Sequence, residues 1–284
     1  MYAKAIQLLS ARWFIHMDTA LEYFPLLLSY INGAKIQDED FKSHTKPYAI
    51  APNLADMWDV MSDDIAPNSV LVLPLDGPIT SWRAKRTVEI LHKAESNPNI
   101  IAGVLHVNSP GGMVHYTDTA SDAIKNSTIP FVGYVENMGA SAAMWWLSGT
   151  KRIFLSSRLD RVGSIGIMTS VMDFTQALRD KLGVKIEDIY AEKSTRKNEE
   201  FRAWLEKNDK KPLLDSLNFA NEIFHEAIQN NLGVAADSEV FQGAVYYADE
   251  AIKLGIAHEI SSFSDAVDYA FKLGMKNTIH KIFK

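Results

Sequence analysis

Short apolar runs alternate with helix-period stretches through the middle of this chain. Val70-Leu71-Val72-Leu73 is closed by Pro74 and Gly77 and reads as a buried strand. Val88, Leu91 and His92 then share one side of a helix over about 82–95. Ile101 to Val107 forms a second strand, ending at Asn108-Ser109-Pro110-Gly111-Gly112. A helix fits 114–125, a third strand Pro130 to Val135, and a fourth strand Arg152 to Leu155. Residues 139–149 are small and then aromatic, which predicts a helix packed tightly at its start. Strands alternating with helices at this spacing predict an α/β fold with parallel strands. After about residue 198 the pattern is mostly helical: 199–208, a break at Pro212, a long helix to about 231, then 247–254 and 263–273. Leu8, Leu9, Trp13, Leu21, Phe24 and Leu28 give residues 1 to about 45 a helical period. Pro47, Pro52 and Pro67 predict a linker or irregular loop over 45–68.

Composition narrows the function classes. The 284 residues are 47% hydrophobic and 23% charged, which excludes a disordered or fibrous chain. With 29 Lys+Arg against 35 Asp+Glu the net charge is −6, a balance that argues against neutralising phosphates, so no nucleic-acid partner is expected. There is no cysteine, so disulfides, thiolate metal sites and a cysteine nucleophile are all excluded. The apolar run Phe24 to Leu28 falls far short of the ~20 residues of a membrane span. Arg12, His16 and Asp18 interrupt any signal-peptide layout. The expectation is a soluble, cytoplasmic protein.

Two segments can carry chemistry. Gly111 and Gly112 follow a predicted strand and precede a helix, where bare N–H groups can hold a developing oxyanion. Ser141 lies in Gly139-Ala140-Ser141-Ala142-Ala143, again between strand and helix, and its small neighbours leave room for a bulky substrate. Either segment alone reads more simply, as a turn and as a helix N-cap. Together, about 30 residues apart, they supply an oxyanion site and a nucleophile on neighbouring strand ends, where α/β sheets gather their sites.

At these residues the sequence resembles the protease IV or signal peptide peptidase family, including its phage branch of prohead (capsid maturation) proteases, within the Clp/crotonase superfamily. The resemblance runs from about Val70 to about Lys272. It is carried by Val107 to Gly112, Met138 to Ala143, Arg161-Val162-Gly163-Ser164-Ile165-Gly166-Ile167 and Tyr247 to Ala257. It implies a Clp/crotonase-like fold of repeated β-β-α units, with a helical N-terminal extension and a helical C-terminal arm. The implied division is an extension and linker over 1–65, a Ser-Lys peptidase domain over 66–275 and a basic tail over 276–284. It also implies a serine endopeptidase without a cofactor, acting on polypeptides and assembled as a homo-oligomer.

The family uses lysine as general base, which requires burial to bring the amine's pKa towards working pH. Counting without a gap from Ile189 lands on Thr195, which cannot be a base. Lys193 and Lys197 each lie two positions away. Lys197 is favoured, because Asn198 keeps a polar neighbour where the family often has aspartate; Lys193 stays open, as does His115 near the glycine turn. The resemblance further gives Ser164 as the residue that orients the amine, and the N–H groups of Gly111, Gly112 and Ala142 as the oxyanion surroundings. No metal site is expected: His106 and His115 have no third ligand in register. A single copy of the domain without an anchor points to the phage branch, with capsid or scaffold proteins as partners. A signal-peptide-degrading peptidase and a non-catalytic assembly module are the alternatives.

Overall fold

The computed structural model describes residues 13–15, 46–51, 54, 56–171, 180, 183 and 187–282. The helical expectation for 1–45 therefore lies outside the described residues, except at β1 (Trp13–Ile15), which is a strand and not a helix. β2 (Tyr48–Ile50) and β3 (Met57–Asp59) replace part of the expected linker. Tyr48, Ala49 and Ile50 pair antiparallel with Val72, Leu71 and Val70, satisfying backbone groups on that side of the central sheet.

The centre of the fold matches the apolar pattern. It consists of β4 (Ser69–Asp76), α1 (Ser81–Ser96), β5 (Ile100–Ser109), β6 (Gly111–Met113), α2 (Thr117–Lys125), β7 (Phe131–Ala140), α3 (Ala142–Ser148), β8 (Ile153–Leu155) and β9 (Arg161–Gly163). After it come α4 (Glu199–Lys207), α5 (Lys211–Leu232), β10 (Val245–Tyr247), α6 (Ala248–Lys253), β11 (Glu259–Ile260) and α7 (Phe263–Ile282). Nine of the described strands form one sheet in the order β10-β9-β7-β5-β4-β2-β3, with β8 on β7 and β11 on β8. β4, β5 and β7 run parallel, so Asp76, Ser109 and Ala140 end at the same side of the sheet. The protein is a mixed α/β fold.

Strand alternation divides the core in two. Leu71, Leu73, Leu75 and Leu105 face one side, with residues of α1, α2, α3 and α5. Val70, Val72 and Val104 face the other, where Ala266, Val267 and Ala270 of α7 cover them. α7 outruns its expected end near 273 and includes part of the expected basic tail. Gly274 permits this: a Cβ there would lie 2.6 Å from the Ile101 carbonyl oxygen, so only glycine lets the helix lie flat on β5. Pro212 starts α5 rather than interrupting a helix, because a first-turn N–H has no intrahelical partner to lose.

His258 ties the last part of the chain to the sheet. Its Nδ1 accepts the Ile153 N–H at 3.1 Å. Burial, with help from the Arg152 charge, holds the imidazole below its ordinary value of 6.5. The unfolded chain takes up a proton near that value while the folded chain resists, so the stability contribution is full above it and is lost as pH falls. We expect the thermal midpoint to fall between about pH 7.5 and about pH 5.5, spanning the ordinary imidazole value. The fall should be smaller in His258→Asn, whose Oδ1 can accept the same N–H without titrating. An equal fall in both proteins would remove His258 from the account.

Candidate active site

Ser141 stands between β7 and α3 with φ 58° and ψ −122°, a backbone conformation that L-residues rarely adopt. Two bonds hold it there. The Ser141 N–H donates to the Gly163 carbonyl at 2.8 Å, and the Ser141 carbonyl accepts from Trp145 N–H at 3.0 Å to begin α3. The residue is 1% exposed, makes no side-chain cap bond, and its Oγ has no hydrogen-bond partner among the described residues. An N-cap serine would give its oxygen to the helix; this one does not. Such a backbone costs about 1–3 kcal/mol, and an unpaired buried hydroxyl a similar amount. The surrounding packing supplies that energy. Trp145 stacks on Phe224 with ring centroids 4.7 Å apart, and Trp146 Nε1 donates to the Thr117 carbonyl at 3.1 Å.

The glycine segment is a short strand, β6, rather than a plain turn. The Ile79 N–H donates to the Gly111 carbonyl and the Met113 N–H donates to the Ile79 carbonyl, both at 2.8 Å. A Cβ on Gly112 would lie 2.0 Å from the Ile79 carbonyl oxygen, so this approach requires glycine. Ser109 anchors the same turn: its Oγ donates to the Gly77 carbonyl at 2.7 Å and accepts from Gly111 N–H at 3.2 Å. Ser109 pairs with Gly139 in the sheet, which brings the β6 turn and the Ser141 turn to one sheet end.

Ser141 and Ser164 border the same cleft, of about 320 Å³, walled by Gly166, Ile167, Met168, Asn218, Asn221, Phe241 and Gln242. Ser164 also has positive φ, 52°, and its N–H donates to the Ala244 carbonyl at 2.6 Å. Asn221 Oδ1 accepts the Ile167 N–H at 3.1 Å and fixes one wall. Behind that wall, His225 of α5 lies against Phe241 at 4.7 Å. Burial lowers its pKa, opposed by a backbone hydrogen bond with Ile165, and its Nε2 is buried without a partner among the described residues.

The predicted base is elsewhere. Lys193 and Lys197 are both exposed, in the turns preceding α4, and neither is among the residues that line the cleft. Arg196 pairs with Glu199 at 2.8 Å, and Arg202 holds the Thr195 carbonyl. His115 packs on Tyr116 at 4.4 Å, and His106 Nε2 meets Glu136 Oε2 at 2.9 Å. The structure thus brings together Ser141 and Ser164 in the cleft, with Gly111 and Gly112 on β6 and Ala142 at the start of α3. It does not bring Lys193 or Lys197 to them.

Sequence reasoning passed over Asp160. This carboxylate is 3% exposed. Its Oδ1 accepts from Asn137 N–H at 2.9 Å, and its Oδ2 accepts from the N–H groups of Ser156 and Ser157 and from Ser156 Oγ. It pins β7, four residues before the serine, to the segment leading into β9. Asn137, at φ 75°, also donates from Nδ2 to Asn108 Oδ1 at 3.0 Å, and Asn108 Nδ2 reaches Asp76 Oδ1 at 3.2 Å. The legible signal was Ser156-Ser157-Arg158-Leu159-Asp160, a polar turn in which an acidic side chain can take up nearby N–H groups. Among the described residues, no three His, Cys, Asp or Glu side chains converge as a metal site. No helix among them is long and apolar enough to cross a membrane.

An α/β sheet thus ends in a serine at positive φ beside a glycine strand. The sequence model of peptidase family S49 matches residues 123–275, and the chain belongs to that family. It is 25% identical over 218 residues to Protease 4 of Haemophilus influenzae, covering 73% of this chain and 35% of that one. It is 26% identical over 214 residues to Capsid assembly protease C of Escherichia phage lambda, covering 70% of this chain and 48% of that one. The chain therefore spans less than half the length of either relative. Among solved structures, a mutant ClpP1 from Listeria monocytogenes is similar with a TM-score of 0.47 at 18% identity, covering 69% of this chain and 94% of that one.

The strain at residue 141 is measurable. Glycine adopts this backbone without penalty and also removes the unpaired hydroxyl, whereas alanine removes only the hydroxyl. We expect Ser141→Gly to be more stable than Ser141→Ala by about 1 kcal/mol in urea unfolding, the reverse of the usual order in helices. A glycine variant less stable than the alanine variant would show that the backbone at 141 carries no strain.

Proposed function

We propose that this protein is a serine endopeptidase in which Ser141 is the nucleophile. The observation that carries the reading is the Ser141 hydroxyl itself, unpaired, on a strained junction, bordering a cleft with Ser164. Ser141 Oγ attacks the scissile carbonyl carbon, and its proton passes to a neutral amine. The Gly112 and Ala142 N–H groups stabilise the tetrahedral oxyanion. The base then gives the proton to the leaving amine, and water hydrolyses the acyl-enzyme. Lys197 is the proposed base and Ser164 its hydrogen-bond partner. In the single chain neither Lys197 nor Lys193 borders the cleft. The reading therefore requires residues 190–198, from the same chain or a second copy, to close over Ser141.

The proposed role is maturation of phage proheads, with scaffold or capsid proteins as substrates in the host cytoplasm or prohead interior. Similarity to a phage capsid assembly protease supports it, and the comparable similarity to a bacterial Protease 4 keeps the signal-peptide-degrading role as the second reading. The exposed lysines favour a third, a non-catalytic assembly module of the same fold.

Peptide cleavage should fall by roughly a thousandfold or more in Ser141→Ala with the fold intact. Undiminished cleavage in a clean Ser141→Ala preparation would sink the peptidase reading. Lys197→Arg should be nearly inactive, since guanidinium does not deprotonate, while Lys193→Arg keeps most activity. The reverse result assigns the base to Lys193, and activity in both variants rejects a Ser-Lys mechanism. Sedimentation at micromolar concentration should show an oligomer; a monomer with full activity would oppose closure by a second copy.

A further inference from the structure

We infer that Trp13–Ile15 is a resident competitor for the peptide-binding edge beside Ser141, an inference that rests on the peptidase reading of that cleft. β1 pairs antiparallel with β6 in the register Trp13 to Met113, Phe14 to Gly112 and Ile15 to Gly111. The Gly111 carbonyl and the Met113 N–H are both taken by Ile79. N–H and C=O groups alternate sides along a strand, so those of Gly112 point away from Ile79, to the side where β1 lies. Phe14 is thus opposite Gly112 at the position where an antiparallel pair exchanges both backbone bonds. The N–H that would hold the oxyanion of a substrate faces a peptide backbone of the same chain.

That arrangement is strand addition to an exposed edge, in which backbone bonds give affinity. A polypeptide substrate laid along β6 needs the same groups and cannot share them with β1. Among the described residues β1 pairs with no strand other than β6, and only three residue pairs join the two, so few backbone bonds hold the segment. The segment is therefore displaceable. Because the segment belongs to the same chain, it competes intramolecularly, at an effective concentration that does not fall with dilution. The free peptide substrate competes against that concentration, which raises its KM without altering the chemistry at Ser141.

The test uses the full chain with Phe14→Pro, which removes the N–H needed for pairing, and Phe14→Ala, which keeps it. In the Ser141→Ala background, the Gly112 amide should exchange with deuterium roughly tenfold faster or more with Phe14→Pro, and at the parent rate with Phe14→Ala. With Ser141 present, Phe14→Pro should lower KM for an unstructured peptide roughly fivefold or more, and a synthetic peptide of residues 10–18 should restore the higher KM by competition. Equal exchange at Gly112 in the parent and Phe14→Pro overturns the inference. So does failure of the synthetic peptide to compete, or release of residues 1–15 by the parent but not by Ser141→Ala, since a cleaved segment is no resident competitor. If no variant cleaves any peptide, the peptidase reading fails instead, and the exchange comparison still decides whether β1 occupies the edge.

Discussion

The bond from Ser141 N–H to the Gly163 carbonyl is the contact on which the site depends. It extends the parallel pairing of β7 with β9, in which Met138, Gly139 and Ala140 face Arg161, Val162 and Gly163. By holding the serine amide to a neighbouring strand, it keeps residue 141 at positive φ while the chain turns abruptly into α3. Gly163 itself has φ +114°, and a Cβ there would meet the Ala244 carbonyl oxygen at 2.7 Å. β9 can therefore press between β7 and β10 only as glycine at that point. The same tight contact sets Ser164 at the cleft, because its N–H is fixed on Ala244.

Around this bond, polar groups position the chain and apolar groups stabilise it. Asp160 collects the N–H groups of Asn137, Ser156 and Ser157 into one buried carboxylate. Asp76, Asn108 and Asn137 link the ends of three adjacent strands. These contacts set the spacing of the turns that carry Gly112 and Ser141. The stabilisation comes from the leucine and valine faces of the sheet and from α3, whose seven residues are all buried. A rigid, apolar support of this kind lets a single residue keep an unfavourable backbone and an unpaired hydroxyl without unfolding its surroundings.

On the proposed peptidase reading, the site is unfinished on the side of the base and occupied by β1 on the side of the substrate. Ser141, Gly112 and Ala142 lie on elements packed into the core, whereas Lys193 and Lys197 are on solvent-facing turns. On that reading, a movement or a second chain must bring the base to Ser141. On the same reading, the proposed competition of β1 at the β6 edge acts on the other half, so access of substrate and arrival of base are separate steps.

The sequence by itself determined the alternating elements, the strand running into Asn108-Ser109, the Gly-Gly pair that follows it and the serine at a strand–helix junction. These are local: apolar alternation, a Gly-Gly pair and a run of small residues are all written within a few positions. It also marked Lys193, Thr195 and Lys197 as out of register with a Ser-Lys pattern, and the structure leaves both lysines exposed. Only the tertiary structure decided what depends on distant partners. β9, β10 and β11 are two or three residues long and exist because neighbouring strands offer unpaired backbone groups, not because of their own propensity. Asp160 is recognisable as a pin only once Asn137 lies across from it. Trp13–Ile15 has a helical period in sequence, yet the hydrogen-bonding edge of Gly111–Met113 draws it into a strand, since an unpaired backbone edge is a stronger constraint on three residues than their spacing.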